Sequence, residues 1–160
     1  MTSSWIDANA SRGPQPRPKV LRLHGQLRLP SVEAQTVAFV EFARQEREPM
    51  NAQTRWAGFS AYLRYARERR LTDSLVVGEC LTIASVYIPD NLQHRGWFWR
   101  YCQMCQCLVN DALVLESVIN VSLLKALSRR PEFLEFKPES FLLRRTPDRP
   151  WPLSVFQTPP

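Results

Sequence analysis

Apolar and polar positions alternate along this chain with two different periods, and the changes of period mark out its elements. Behind Pro30-Ser31-Val32-Glu33, the residues Val37, Phe39, Val40, Phe42 and Ala43 keep helical spacing. With Ser31 placed to cap the first turn, they predict a helix ending near residue 47. Trp56, Phe59, Leu63 and Ala66 fall along one side of a second predicted helix over residues 53–70. Ahead of both, Val20-Leu21-Arg22-Leu23 alternates as a short strand. Leu75-Val76-Val77 and residues 80–88 are apolar runs parted by Gly78-Glu79, a two-residue spacing with glycine first that predicts a hairpin. A helix over 96–108, a buried strand over 112–118, and a helix over 119–130 stopped by Pro131 follow. Two short strands, 133–137 and 140–145, close the series around Pro138-Glu139. Strand, two helices, hairpin, helix, strand, helix, hairpin is an α/β order.

Composition narrows this picture. A chain of 160 residues with 44% hydrophobic content is sized for one core, placed here over residues 20–146. Residues 1–19 carry Pro14, Pro16 and Pro18 among basic side chains and read as a flexible or extended lead-in. Residues 147–160 are again proline-rich but include Trp151, Leu153, Val155 and Phe156, so this tail is expected to lie on the domain or on a partner chain, and a homodimer stays open. No apolar run reaches the roughly eighteen residues of a membrane span, and the first ten residues lack the basic start and apolar centre of a secretory signal. The expectations are no membrane association and a cytoplasmic location.

The formal charge of +6 comes almost wholly from arginine, since Lys19, Lys125 and Lys137 are the only lysines. Arg64, Arg67, Arg69 and Arg70 cluster at the end of the second predicted helix, where they serve either as a solvated helix terminus or as a phosphate or nucleic-acid contact. Glu79, in the predicted hairpin turn, reads as solvated. Cys102, Cys105 and Cys107 form Cys-Gln-Met-Cys-Gln-Cys, half of a zinc-binding pattern whose second half is missing, so no metal site is expected and the cysteines read as small buried helix residues. There is no Walker loop, dinucleotide-binding glycine fingerprint or metal-binding helix.

The most informative stretch is residues 86–98, where Val86-Tyr87-Ile88 runs into Pro89, a polar turn, and Gly96 at the start of a helix. Unpaired N–H groups in a first helical turn, aided by the aligned peptide dipoles, suit an anionic group, and glycine leaves room for its approach. Gln93-His94-Arg95-Gly96-Trp97-Phe98 resembles the Q/R-x-x-G-x-G/A motif of the GNAT acyltransferase superfamily, with Phe98 where glycine or alanine is usual. Downstream, Glu116, Asn120, Leu127, Arg129 and Phe133 fall on matching positions of the V-x-V-E-N-V-x-N-x-x-L-x-x-x-L-x-R-x-G-F pattern of short phage-type GNAT-like proteins. The resemblance covers about residues 75–145.

It implies a mixed central sheet with splayed strands, flanked by helices, here with its early strands shortened. It also implies acetyl-coenzyme A as cofactor. The backbone of Val86, Tyr87 and Ile88 would pair with the pantetheine arm, and Gln93, His94, Arg95, Gly96, Trp97 and Phe98 would wrap the pyrophosphate. The function implied is acetyl transfer to an amine on a protein, a small molecule or nucleic acid. Leu127 stands where many members place a tyrosine acid, which leaves Glu116, Asn120 and Ser122 as candidate catalytic residues. Glu116 and Asn120 have a structural alternative, bonding each other's turn across the strand-to-helix junction. Phe98, Leu127 and Pro131 are three departures within one site, so a second reading keeps the fold without catalysis, as a phage-like binder of a host protein or of nucleic acid.

Overall fold

The structure is a computed structural model and describes residues 31–46 and 48–145, together with the backbone of 19–22. The expected N-terminal lead-in and C-terminal tail lie outside the described residues. Strands β1 (Lys19–Arg22), β2 (Met50–Trp56), β3 (Phe59–Ala66), β6 (Cys80–Tyr87), β7 (Ala112–Leu115), β8 (Leu134–Lys137) and β9 (Ser140–Arg144) form one sheet in the order β1-β2-β3-β6-β7-β9-β8. The short β4 (Arg69–Arg70) and β5 (Val76–Val77) pair only with each other. Within the large sheet β1 runs parallel to β2 and β6 parallel to β7, and the remaining pairs are antiparallel, so the class is α/β with a mixed sheet.

Three helices, α1 (Val32–Gln45), α2 (Trp97–Leu108) and α3 (Val121–Ser128), complete the architecture. Ser31 caps α1 as expected, its Oγ accepting from the Ala34 N–H at 3.0 Å. Asn120 does the same for α3, its Oδ1 accepting from the Leu123 N–H at 3.0 Å. The main core lies between the helices and one face of the sheet. Phe39, Val40 and Ala43 of α1 meet Tyr101, Met104 and Cys105 of α2 over Leu63, Leu81, Ile83, Leu113, Leu115 and Phe141. On the opposite face a smaller cluster gathers Val77, Cys80, Ala112, Val114 and Leu142 under Leu71, Leu75 and Phe136.

Expectations for two segments are overturned, and the early strands β2 and β3, of 7 and 8 residues, are not shortened. Residues 53–70 are not a helix but the hairpin of β2 and β3, in register from Met50↔Tyr65 to Trp56↔Phe59. Ala61, Leu63 and Tyr65 are buried while their neighbours are half-exposed, a period of two. The turn is Ala57-Gly58, with φ of +47° and +84°, the left-handed pair that matches the twist of a two-residue hairpin. Residues 75–88 are likewise not a hairpin. β5 folds back on β4, while β6 enters the centre of the large sheet between β3 and β7.

Glu79 explains the second difference. It is not solvated. Its Oε1 accepts from Arg44 Nε at 2.7 Å and from the Tyr65 hydroxyl at 2.6 Å, and its Oε2 from the Asn110 N–H at 2.8 Å, tying α1, β3 and the α2–β7 connection together. Gly78 is held alongside, its N–H donating to Asp111 Oδ2 at 2.7 Å. Residues 78–79 therefore anchor the entry to a central strand.

Candidate functional site

The parallel pair β6/β7 runs in register from Cys80↔Ala112 to Ile83↔Leu115 and then opens. The Glu116 N–H still donates to the Ile83 carbonyl at 3.2 Å. Beyond it Ser117 takes a φ of +50° and the chain turns to the β8–β9 connection, where the Val118 N–H donates to the Glu139 carbonyl at 2.8 Å. β6 continues alongside β3 as far as Ser60↔Tyr87. Its register steps from Ile83 to Ser85 while β3 steps from Leu63 to Tyr62, so Ala84 is an extra residue in β6. Such a bulge bends its strand and raises the local twist, which turns β6 away from β7 where the two part.

β6 leads through Pro89 and a single 3-10 turn, Asp90–Leu92, to the start of α2. Gln93 fastens this loop, its Nε2 donating to the Ile88 carbonyl at 3.0 Å and to Asp90 Oδ1 at 2.9 Å. His94 and Gly96 both take left-handed backbone, with φ of +58° and +76°. The first helical bond of α2 is from the Arg100 N–H to the Gly96 carbonyl at 3.3 Å, so the N–H groups of Trp97, Phe98 and Trp99 precede the internal ladder and point out of the helix start. Arg100 folds back over this turn, its Nη1 donating to the Arg95 carbonyl at 3.3 Å. The turn thus gathers helix-dipole charge, free-standing N–H groups and a guanidinium.

Aromatic packing fixes the helix behind the turn. The Trp97 ring stacks on Tyr101 at 4.7 Å and tilts against Phe59 at 4.8 Å, and its indole N–H donates to Glu33 Oε1 of α1. The Tyr101 hydroxyl, fully buried, shares a 2.8 Å hydrogen bond with Thr36 Oγ1. Phe98, the departure from the expected motif, is only 8% exposed and packs into the main core.

A cavity of about 330 Å³ opens beside this turn. Its walls include all nine residues expected on the cofactor side, Val86, Tyr87, Ile88, Gln93, His94, Arg95, Gly96, Trp97 and Phe98. Asn120, Ser122, Leu123 and Ala126 of the β7–α3 junction and α3 form the facing wall. Leu92 and Trp99 also line the cavity, and neither they nor Arg100 were singled out by the sequence. Arg100 was readable in principle, one helical turn beyond Gly96 on the same side.

Two of the candidate catalytic residues, Asn120 and Ser122, reach this cavity, and Glu116 does not. Glu116 is 4% exposed, and its two oxygens are held separately, Oε2 by Arg64 Nη1 at 3.0 Å and Oε1 by Arg69 Nη2. The expected bonding of Glu116 and Asn120 to each other's turn is therefore not what holds the junction. Glu116 binds across the sheet to two arginines, and Asn120 caps α3. Leu127 is fully buried in the main core.

The arginine cluster was expected at a helix end, and the structure distributes it instead. Arg64 and Arg69 hold Glu116. Arg67 Nη2 donates to the Arg44 carbonyl at 2.6 Å, closing the end of α1, and Arg70 Nη1 donates to the Asp73 carbonyl at 2.9 Å. Cys80, Cys102 and Cys105 are buried and Cys107 half-buried. Burial pushes the Cys80 thiol up to about 11 and those of Cys102 and Cys105 well above their ordinary value, so none of these three is a ready thiolate. Among the described residues no three His, Cys, Asp or Glu side chains gather as metal ligands, and no helix is long and apolar enough to cross a membrane. Comparison with protein-family models, with curated proteins and with solved structures finds no match to this chain.

Proposed function

We propose that this chain is a GNAT-type acyltransferase that binds acetyl-coenzyme A at the start of α2 and passes the acetyl group to an amine. The observation that carries this reading is a coincidence in space. The opening of β6 from β7, the Gly96 turn and a cavity walled by both adjoin one another, as a ligand with an apolar arm and an anionic diphosphate requires. A diphosphate would lie against the N–H groups of Trp97, Phe98 and Trp99, with Arg95 and Arg100 adding charge. Gly96 keeps that approach clear. A Cβ there would come 3.3 Å from Arg100 Nη1. Gln93 acts one step back, by fastening the loop to Ile88 and Asp90. Val86 and Ile88 offer the backbone edge that β7 leaves behind. When bound, acetyl-coenzyme A supplies the acetyl group as a thioester, so that a C–N bond to the amine forms as the C–S bond breaks and the amine loses a proton.

The cavity wall holds no carboxylate. Ser122 and Tyr87 are its hydroxyl-bearing side chains, with Tyr87 56% exposed at its mouth, and His94 brings an imidazole to the same wall, so proton transfer at this site falls to the imidazole, these hydroxyls and water. The same lack of a carboxylate favours a second reading, in which the site binds its ligand without transfer and the fold serves as a binder of a host protein or of nucleic acid. Calorimetric titration of the full chain with acetyl-coenzyme A tests the first reading, and release of free coenzyme A in the presence of amines separates it from the second. Saturable binding with turnover is expected. Binding without coenzyme A release from any amine would favour the binder, and no binding by folded protein would remove both site assignments.

A further inference from the structure

Glu116 ends the β6/β7 ladder on the face of the sheet away from the helices. Leu113 and Leu115 point into the main core, whereas Val114 belongs to the smaller cluster on the other side, and Glu116 follows Val114 in the alternation. The lower half of that face is covered by the apolar side chains around Leu71, Leu75 and Phe136. Its upper half is polar. Arg69 Nη1 donates to Thr82 Oγ1 at 2.6 Å and Nη2 to Glu116, Arg64 holds the other carboxylate oxygen, and the Arg64 guanidinium lies 5.7 Å from the centre of the Tyr62 ring.

The carboxylate side chain is 2% exposed, but those of Arg64 and Arg69 are 30% and 26% exposed, so the triad buries its negative member and carries its positive ones to the surface. Two guanidiniums on one carboxylate leave a net positive charge. Stability gives little reason for such a group, because apolar residues of similar volume do as well or better in place of a buried ion triad. Arg69 keeps an unused fork. Its Nε–H and the second hydrogens of Nη1 and Nη2 have no acceptor among the described residues.

We propose that this triad, lying where β6 and β7 part, is the anion-recognising half of the acceptor site, and that the acceptor is a small amine that also carries an oxyanion, a carboxylate or a phosphate. This rests on the acyltransferase reading. Arg69, oriented by Glu116 and Thr82, takes the oxyanion through paired N–H donors, and Arg64 adds charge beside it.

The test is direct binding, followed by NMR titration of the full chain without acetyl-coenzyme A. The probes are glycine and O-phosphoethanolamine, each beside the counterpart that keeps the amine and lacks the oxyanion, glycinamide and ethanolamine. The anionic member of at least one pair is expected to bind saturably and about tenfold more tightly than its counterpart, and Arg69→Gln to weaken it about tenfold. Arg69→Lys, which keeps the charge and loses the fork, is expected to fall between, and it carries the comparison if the glutamine variant does not fold. Gly96→Asn is expected to leave this binding unchanged. Equal binding of the probes with and without the oxyanion would overturn the proposal. So would anion binding that is lost with Gly96→Asn and kept with Arg69→Gln, since the anion would then sit on the α2 turn. Titration of the same samples with acetyl-coenzyme A reports on the acyltransferase reading separately, because it does not depend on the triad.

Discussion

Gly96 shows how much of the site hangs on single residues. Its φ of +76° suits glycine, and among other residues asparagine enters this region most readily. Gly96→Val is therefore expected to cost about 1–2 kcal/mol through backbone strain alone, whereas Gly96→Asn adds a side chain at the turn with only a small loss, as thermal melts of the two variants would show. Glu79 is the corresponding residue of the frame. Burial by itself would raise its carboxyl, but hydrogen bonds from Arg44, Tyr65 and the Asn110 N–H outweigh that and hold it below the ordinary 4.5. A depressed carboxyl stabilises the fold above its unfolded value, and the contribution is lost as pH falls from about 4.5 through the lower folded value. Burial and the Glu79 hydrogen bond push the Tyr65 hydroxyl from 10.0 up to about 12, so its contribution is full below 10 and lost as pH rises through 12. Glu79→Gln is expected to cost about 2 kcal/mol near neutral pH and to flatten the acid limb of stability against pH. Denaturant midpoints that fall equally steeply for wild type and variant below pH 4.5 would contradict this.

At the scale of elements, the β2–β3 hairpin carries the clearest prediction. Ala57 sits at φ +47°, where alanine is strained and asparagine is not, so Ala57→Asn is expected to stabilise the protein by about 0.5–1 kcal/mol in a chemical-denaturation series. Gly58→Ala is expected to do the opposite, because its φ is +84° and a Cβ would meet Pro89 Cγ at 3.0 Å. The same hairpin shows why half of the chain was hard to read. Trp56, Phe59, Leu63 and Ala66 keep helical spacing, while Ala61, Leu63 and Tyr65 alternate, and Leu63 satisfies both patterns. What decides between them is Ala57-Gly58, a turn signal weaker than Asn-Gly, together with the position of β3 between two neighbours. Gly78-Glu79 misled in the reverse direction, since its turn chemistry is spent on anchoring β6 through Asp111, Arg44 and Tyr65, partners distant in sequence. From residue 96 onward each element had its own start and stop, Gly96, Asn120 and Pro131, and was placed to within a few residues. The nine residues expected on the cofactor side line one cavity because they fall within one short stretch, 86–98, so their gathering in space was legible. The partners of Glu116 were not legible, because its two arginines come from β3 and β4, elements read as helix.

In the molecule as a whole, the sheet divides the chemistry between its two faces. The helices close one face over an apolar core and leave a cavity at the start of α2, while the other face holds the buried Glu116 with Arg64 and Arg69. The opening between β6 and β7 adjoins both, since β6 runs on into the cavity wall and Glu116 directly follows β7, and the Ala84 bulge and the turn at Ser117 put it there. The central claim is that this opening and the Gly96 turn bind acetyl-coenzyme A. Calorimetric titration of wild type and Gly96→Asn with acetyl-coenzyme A, with folding of both checked by thermal melting, tests it most directly. The account predicts saturable one-to-one binding to the wild type and a loss of at least about tenfold in the variant at nearly unchanged stability. Equal affinity in the two proteins, or no binding by folded wild type, would contradict it.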